Sequence, residues 1–317
     1  MLKKNQGHSE DVFNKNFYEI LLNNLNDGIY FLDQERKIFF WNQGAEQITG
    51  FKASEVIGKR CSDNILIHVD ERGISLCEEN CPVKKTLSDG KIHSLEAYLH
   101  HKDGYRLPTS IRVIPIHNKE LEVIGAVETF CDISPKLLMP QRTQELKRMN
   151  LFDSLTETGN KTFLEMHLNS RLDEMHRYRL PFGVLFVDID HLSTVNETHG
   201  TDVGDRILRM VAQTLTNNIR FFDIIGRWGG EEFLVIVLNV DEPKLDFVAN
   251  KLRLLVEQSN IMVEETQLAR VTVSIGVTIA QRVDSVKILV KRAESLMNHS
   301  KWLGRNRVSL NFEKEEI

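Results

Sequence analysis

The chain has 317 residues, too many for one typical compact domain and enough for two of ordinary size. It is 41% hydrophobic and 27% charged, with 18 glycines and 7 prolines, which argues against full-length disorder, a collagen-like chain or a simple coiled coil. A formal net charge of -5 disfavours nucleic-acid binding through bulk positive charge, so no nucleic-acid partner is expected. No run approaches the roughly 18 apolar residues of a membrane helix, so no direct membrane insertion is expected. The opening MLKKNQGHSEDVFNKN lacks the apolar stretch of a secretory signal. The expectation is a cytoplasmic protein whose four cysteines (Cys61, Cys77, Cys81 and Cys131) are thiols or metal ligands rather than a disulfide framework.

Residues 1–14 are polar and read as a flexible tail. Residues 15–134 form a first block. A short amphipathic helix over roughly 16–25 leads into two apolar runs, GIYFLD (28–33) and KIFFWN (37–42), split by Gln34-Glu35-Arg36, which predicts a hairpin. Short helical pieces follow to about residue 90. Three longer strand-like runs, HSLEAYLHH, YRLPTSIRVIPI and LEVIGAVETFCDI, are separated by turns at Lys102-Asp103-Gly104 and His117-Asn118-Lys119. The pattern is an antiparallel sheet with helices inserted after its second strand.

Residues 135–152 predict a connecting helix after Pro140, too short for a long coiled coil. The second block, 153–312, alternates helical and strand patterns. Helices are expected at 160–178, 202–217, 243–258 and 285–302. Strands are expected in PFGVLFVDID, on both sides of the turn in DIIGRWGGEEFLVIVL, and in RVTVSIGVTIA. The overall class is α/β, an α+β sensor plus an output domain with a central sheet flanked by helices. Residues 313–317 read as an acidic tail.

Two features of the second block carry chemistry. Asp188-Ile189-Asp190 ends an apolar strand, and Gly229-Gly230-Glu231-Glu232-Phe233 lies between two strands. Carboxylates at a sheet edge suit Mg²⁺ (or Mn²⁺), a hard ion that takes one or two protein carboxylates plus phosphate oxygens. The paired glycines permit a tight turn and a close backbone approach to a ligand. The plainer alternative is a surface hairpin with solvated acids.

Several ordered motifs decide between these readings. DSLTETGN (153–160), DIDHLSTVNETHGTDVGDRIL (188–208), RWGGEEF, TVSIGV (272–277) and AESLMNHSKWLGRNRV (293–308) together resemble the GGDEF domain family, the diguanylate cyclases, across the whole second block. The resemblance implies a nucleotidyl-cyclase-like fold. It also implies the condensation of two GTP into cyclic di-GMP and two pyrophosphates. Asp188 and Glu231 then match the metal carboxylates, helped by the Ile189 carbonyl, and Glu231 also matches the residue that assists loss of the 3′-hydroxyl proton. Glu232 is expected to join the metal or act beside it. Gly229 and Gly230 line the substrate, Asn196 and Asp205 match the guanine-reading positions, and Lys301 and Arg305 match the cations that hold the triphosphate. Their spacing of four near a helix end places Lys301 and Arg305 on one face.

Because each domain binds one GTP, the reaction implies a homodimer. Arg220 and Asp223, in RFFD, match an RxxD inhibitory site for cyclic di-GMP. Ser193, Thr201, Glu157 and Thr158 depart from the pattern without removing a named position. A catalytically silent module that binds GTP or cyclic di-GMP as an effector is the alternative.

The first block resembles a PAS sensor domain in LNNLNDGIYFLDQERKIFFWNQGAEQITGF, EVIGK, HKDG and CDIS. This implies a sensor that regulates the output domain, but the fold alone names no ligand. Cys61, His68, Cys77 and Cys81 lie within the helical insertion and could take zinc, an iron–sulfur cluster or haem, or could be unrelated groups or a metal-free redox loop. His100 and His101 are expected to be exposed hairpin residues rather than haem ligands.

Overall fold

The computed structural model describes residues 18–63, 65–78, 80–134, 150–263 and 267–310. The expected tails at 1–14 and 313–317, and the connecting helix up to residue 149, lie outside these residues. The described residues form two compact units, one largely within 18–133 and one largely within 150–310.

The first unit holds β1 (Gly28–Asp33), β2 (Ile38–Trp41), α1 (Gln43–Thr49), α2 (Ala53–Val56), α3 (Pro82–Asp89), β3 (His93–His100), β4 (Arg106–His117) and β5 (Val123–Asp132). The sheet order is β2-β1-β5-β4-β3, with β1 antiparallel to both β2 and β5, and β4 antiparallel to β5. Buried Asn42 organises the start. Its Oδ1 accepts from the Ala45 and Ile29 amides, both at 2.8 Å, which caps α1 and pins it to β1. Its Nδ2 donates to the carbonyls of Leu22 and Asp27 at 2.8 and 2.9 Å. A buried amide with all of these groups satisfied stabilises the fold instead of costing desolvation.

The period-two alternation of the strands buries Tyr30 and Leu32 of β1 and Ala126 and Phe130 of β5. It also buries Glu128 in the same face. His100 and His101 are buried, contrary to expectation. The His100 amide donates to the Leu66 carbonyl at 2.7 Å, and the His101 ring lies against Gly50, which closes α1 in the left-handed conformation.

The second unit comprises α4 (Lys161–Tyr178), β6 (Phe182–Ile189), α5 (Leu192–His199), α6 (Thr201–Asn217), β7 (Ile224–Gly229), β8 (Glu232–Leu238), α7 (Glu242–Glu257), β9 (Ile261–Met262), β10 (Leu268–Ala269), β11 (Val273–Ile279), α8 (Val286–Trp302) and β12 (Val308–Leu310). Its main sheet runs β12-β11-β6-β8-β7. Central β6 is antiparallel to β8 and β11, and β12 lies parallel to β11. Every residue of β6 is buried because helices cover both faces. Leu185, Val187 and Ile189 pack with α5, α6 and α7, whereas Val184 and Phe186 pack with α4 and α8.

The sequence pattern misses α5, the β9–β10 hairpin and β12. All three are short, and α5 (LSTVNETH) carries too few apolar residues to show a helical period. Gly276 is where α8 meets the sheet. A Cβ there would sit 2.0 Å from the Ala293 carbonyl oxygen and 2.2 Å from the Met297 amide, so only glycine permits this approach.

Candidate active site

Period two decides which acids face one another. Asp188 shares its face of β6 with Val184 and Phe186, the side covered by α8. Its direct partner on β8 is Glu232, on the same face as Leu234 and Ile236. Glu231 precedes β8 in the turn, where its carbonyl accepts from the Ile189 amide at 3.3 Å. The end of β6 and the acidic turn are therefore joined through the backbone as well as through register.

Asp188 is 2% exposed. Its Oδ2 lies 2.8 Å from Lys301 Nζ of α8, and its Oδ1 is buried with no hydrogen-bond partner. Burial pushes the Asp188 carboxyl up to about 6. Lys301 opposes this shift, and the charges of Glu231 and Glu232 add to it. Burial also raises Glu232, with the Glu294 charge the next contributor. Acids crowded at a strand end, one with an orphaned oxygen, are short of positive charge, and a divalent cation fits that deficit. Among the described residues no three His, Cys, Asp or Glu side chains form a ready-made metal group. Mg²⁺ does not need one, because it takes one or two carboxylates and keeps water or phosphate oxygens.

The turn itself is held by a residue that sequence reasoning passed over. Arg227 donates from Nε and Nη2 to the Gly230 carbonyl at 2.8 and 2.7 Å, and its Nη1 reaches both Asp153 oxygens at 3.2 and 3.3 Å. Asp153 in turn caps the Thr156 amide and hydroxyl at 2.9 and 2.8 Å. The opening DSLT segment and the GGEE turn are thus one assembly around a guanidinium fork. An arginine inside RWGGEEF was the available signal. Behind the turn, an open groove of about 660 Å³ lies between α4 and α8, where Lys161 Nζ sits 4.7 Å from the centre of the Trp228 ring.

Asn196 lies on α5 and Asp205 on α6, the two helices meeting at Gly200, whose φ is 86°. Asn196 Oδ1 packs so tightly on Gly204 that a Cβ there would fall 1.8 Å away. Both side chains are half-buried. Lys301 and Arg305 do not share a helix face as expected. α8 ends at Trp302, and exposed Arg305 follows in a left-handed turn with φ 63°.

Arg220 is exposed, while Asp223 is tied into the turn. The Asp223 Oδ2 accepts from the Arg220 amide at 3.1 Å and its Oδ1 from the Leu238 amide at 3.0 Å. In the first unit, Cys61, His68 and Cys81 are buried and Cys77 half-buried, and they are not gathered into a metal-binding group. Glu128, which the sequence reading missed, lies beside them, with His68 Nε2 3.5 Å from its Oε1.

The comparisons agree with this division. Residues 150–307 match the model described as diguanylate cyclase, GGDEF domain, and residues 26–135 match that of the PAS domain. Diguanylate cyclase DosC of Escherichia coli K12 is 29% identical over 210 residues, 66% of this chain and 46% of that protein. Response regulator PleD of Caulobacter vibrioides NA1000 is 34% identical over 158 residues, 49% of this chain and 35% of that protein. The chain thus spans less than half the length of these relatives. The structure of the coiled coil and GGDEF domain of DgcB from Caulobacter crescentus, in complex with c-di-GMP, shares the fold, with TM-score 0.50 and 23% identity over 54% of this chain and 91% of that one. By its two matched regions the chain belongs to the proteins that join a PAS domain to a GGDEF domain.

Proposed function

We propose that this protein is a diguanylate cyclase that condenses two GTP into cyclic di-GMP and two pyrophosphates. The observation that carries the reading is the pairing of Asp188 with Glu232 across β6 and β8, with Glu231 in the adjoining turn and Lys301 on Asp188. Asp188, Glu231 and the Ile189 carbonyl would hold Mg²⁺ or Mn²⁺, with Glu232 beside them. The ion would neutralise charge developing on the transferring phosphate.

Asn196 and Asp205 read the guanine edge. The carboxylate accepts from N1–H and N2–H₂, and the amide both donates and accepts. Lys301 and Arg305 hold the triphosphate, and the open backbone at Gly229 and Gly230 lets the substrate approach. Glu231 assists removal of the 3′-hydroxyl proton. Two copies face each other so that each 3′-oxygen meets the other's α-phosphorus. The PAS domain regulates that encounter through residues 135–152, and cyclic di-GMP inhibits through Arg220 and Asp223.

The test is production of cyclic di-GMP from GTP and Mg²⁺ by the full chain, set against Glu231→Ala. The variant should bind GTP and make no product. Equal turnover by both would overturn the assignment.

A further inference from the structure

We propose that Asp190 is the positioning residue for the Arg305–Asn306 segment, and that it takes no part in metal binding. The inference rests on the cyclase reading and assigns a role to the second acid of Asp188-Ile189-Asp190. Asp190 is 2% exposed and its carboxylate is fully engaged. Oδ1 accepts from the Ser274 hydroxyl at 2.6 Å, and Oδ2 accepts from the Thr272 hydroxyl at 2.7 Å and the Asn306 amide at 3.1 Å. Its own amide donates to the Thr272 carbonyl at 2.9 Å. The contrast with Asp188 is direct: one acid has an orphaned oxygen and a cation, and the other has three donors from two separate segments.

The Asn306 bond acts where the backbone needs it. Arg305 and Asn306 both have positive φ, at 63° and 46°, a conformation that costs a non-glycine residue energy and persists only under outside constraint. The Arg305 amide is fixed to the Ser300 carbonyl at 3.0 Å and the Asn306 amide to Asp190. The Asn306 side chain then continues the chain of bonds. Its Nδ2 donates to Glu257 at 2.9 Å, and its Oδ1 accepts from Arg253 at 2.7 Å, both on α7. Asp190 therefore links the end of the strand that presents Asp188, the TVSIG strand, and the turn that presents Arg305. Its loss would leave the metal carboxylate in place and release the cation.

The experiment uses the full chain with Asp190→Asn and, as a milder change at a half-buried position, Thr272→Val. GTP and Mg²⁺ dependence are measured separately. For Asp190→Asn the expected result is a rise in KM for GTP on the order of tenfold, with kcat and the Mg²⁺ concentration for half-activation nearly unchanged. Thr272→Val should move KM in the same direction by a smaller factor, and it stands as the test if Asp190→Asn does not fold. A shift in Mg²⁺ half-activation comparable to that of Asp188→Asn would overturn the proposal, as would an unchanged KM in folded variants. Should the wild type turn over no GTP, the cyclase reading fails. Affinity for a non-hydrolysable GTP analogue, with and without Mg²⁺, then decides the role of Asp190 by the same criteria.

Discussion

Lys301 Nζ lies 2.8 Å from Asp188 Oδ2, which joins a cation expected on the triphosphate to a carboxylate expected on the metal. The pair is mostly withdrawn from solvent, with Asp188 2% and Lys301 28% exposed at the side chain, so removing one partner leaves the other's charge poorly compensated. Lys301→Ala should cut cyclic di-GMP formation by on the order of a hundredfold, and Lys301→Arg should restore little because a planar fork does not replace a point charge. Steady-state kinetics of the three proteins check this.

Arg227 should matter to activity through the turn that carries the acids. Arg227→Ala removes two bonds to the Gly230 carbonyl and the contact with Asp153. The expected outcome is a fall in kcat of at least about tenfold, with a stability loss of about 1–3 kcal/mol by denaturant titration.

Gly204→Ala separates substrate binding from stability. Alanine in place of glycine within a helix ordinarily stabilises by about 0.5–1 kcal/mol. Here the new methyl would fall 1.8 Å from Asn196 Oδ1 and displace that side chain. Affinity for GTP should drop while the melting temperature stays level or rises. Paired calorimetric binding and thermal melts check both.

Gly276→Ala should have the opposite signature. Its methyl would meet the backbone of α8 at Ala293 and Met297, which has no rotamer to yield. Overpacking of this kind costs about 1–3 kcal/mol, read as a lower denaturation midpoint.

Glu128 makes the first unit sensitive to pH. The residue is fully buried, and burial pushes its carboxyl from an ordinary 4.5 up to about 8, with the Tyr30 hydroxyl pulling it down. The folded value lies above the unfolded one. The unfolded chain therefore sheds this proton first, and stability present below 4.5 is lost as pH rises through 8. Tyr30, Cys61 and His68 are the ionisable groups around it. Thermal unfolding followed from pH 5 to 9 should show a declining melting temperature for the first unit. In Glu128→Gln that decline should be flattened.

What the sequence disclosed depends on length and register. β6 and β8 are long apolar runs, and the acids stand in motifs at their ends, so the strands and the placement of these acids at the strand ends were legible. The two-strand register that sets Asp188 opposite Glu232, and leaves Glu231 in the turn, cannot be read from spacing alone because it depends on how β8 pairs. Arg305 was misplaced for a local reason. The rule of four assumes a continuing helix, and α8 stops at Trp302 before a Gly304 with φ 111°. Glu128 escaped notice because the run VIGAVETFCD reads as a strand whichever way its one acid faces. The burial of His100 and His101 is not legible in the local sequence because Leu66 and Val69 bond to β3 from a separate segment, a tertiary contact.

The most direct test of the central claim is a time course of the purified full chain with GTP and Mg²⁺, resolved by chromatography for cyclic di-GMP and pyrophosphate, beside Glu231→Ala. The expected result is two pyrophosphates released per cyclic di-GMP by the wild type and none by the variant. GTP bound but unchanged by the wild type, with or without residues 1–149, would contradict it and leave a nucleotide-binding module in place of a cyclase.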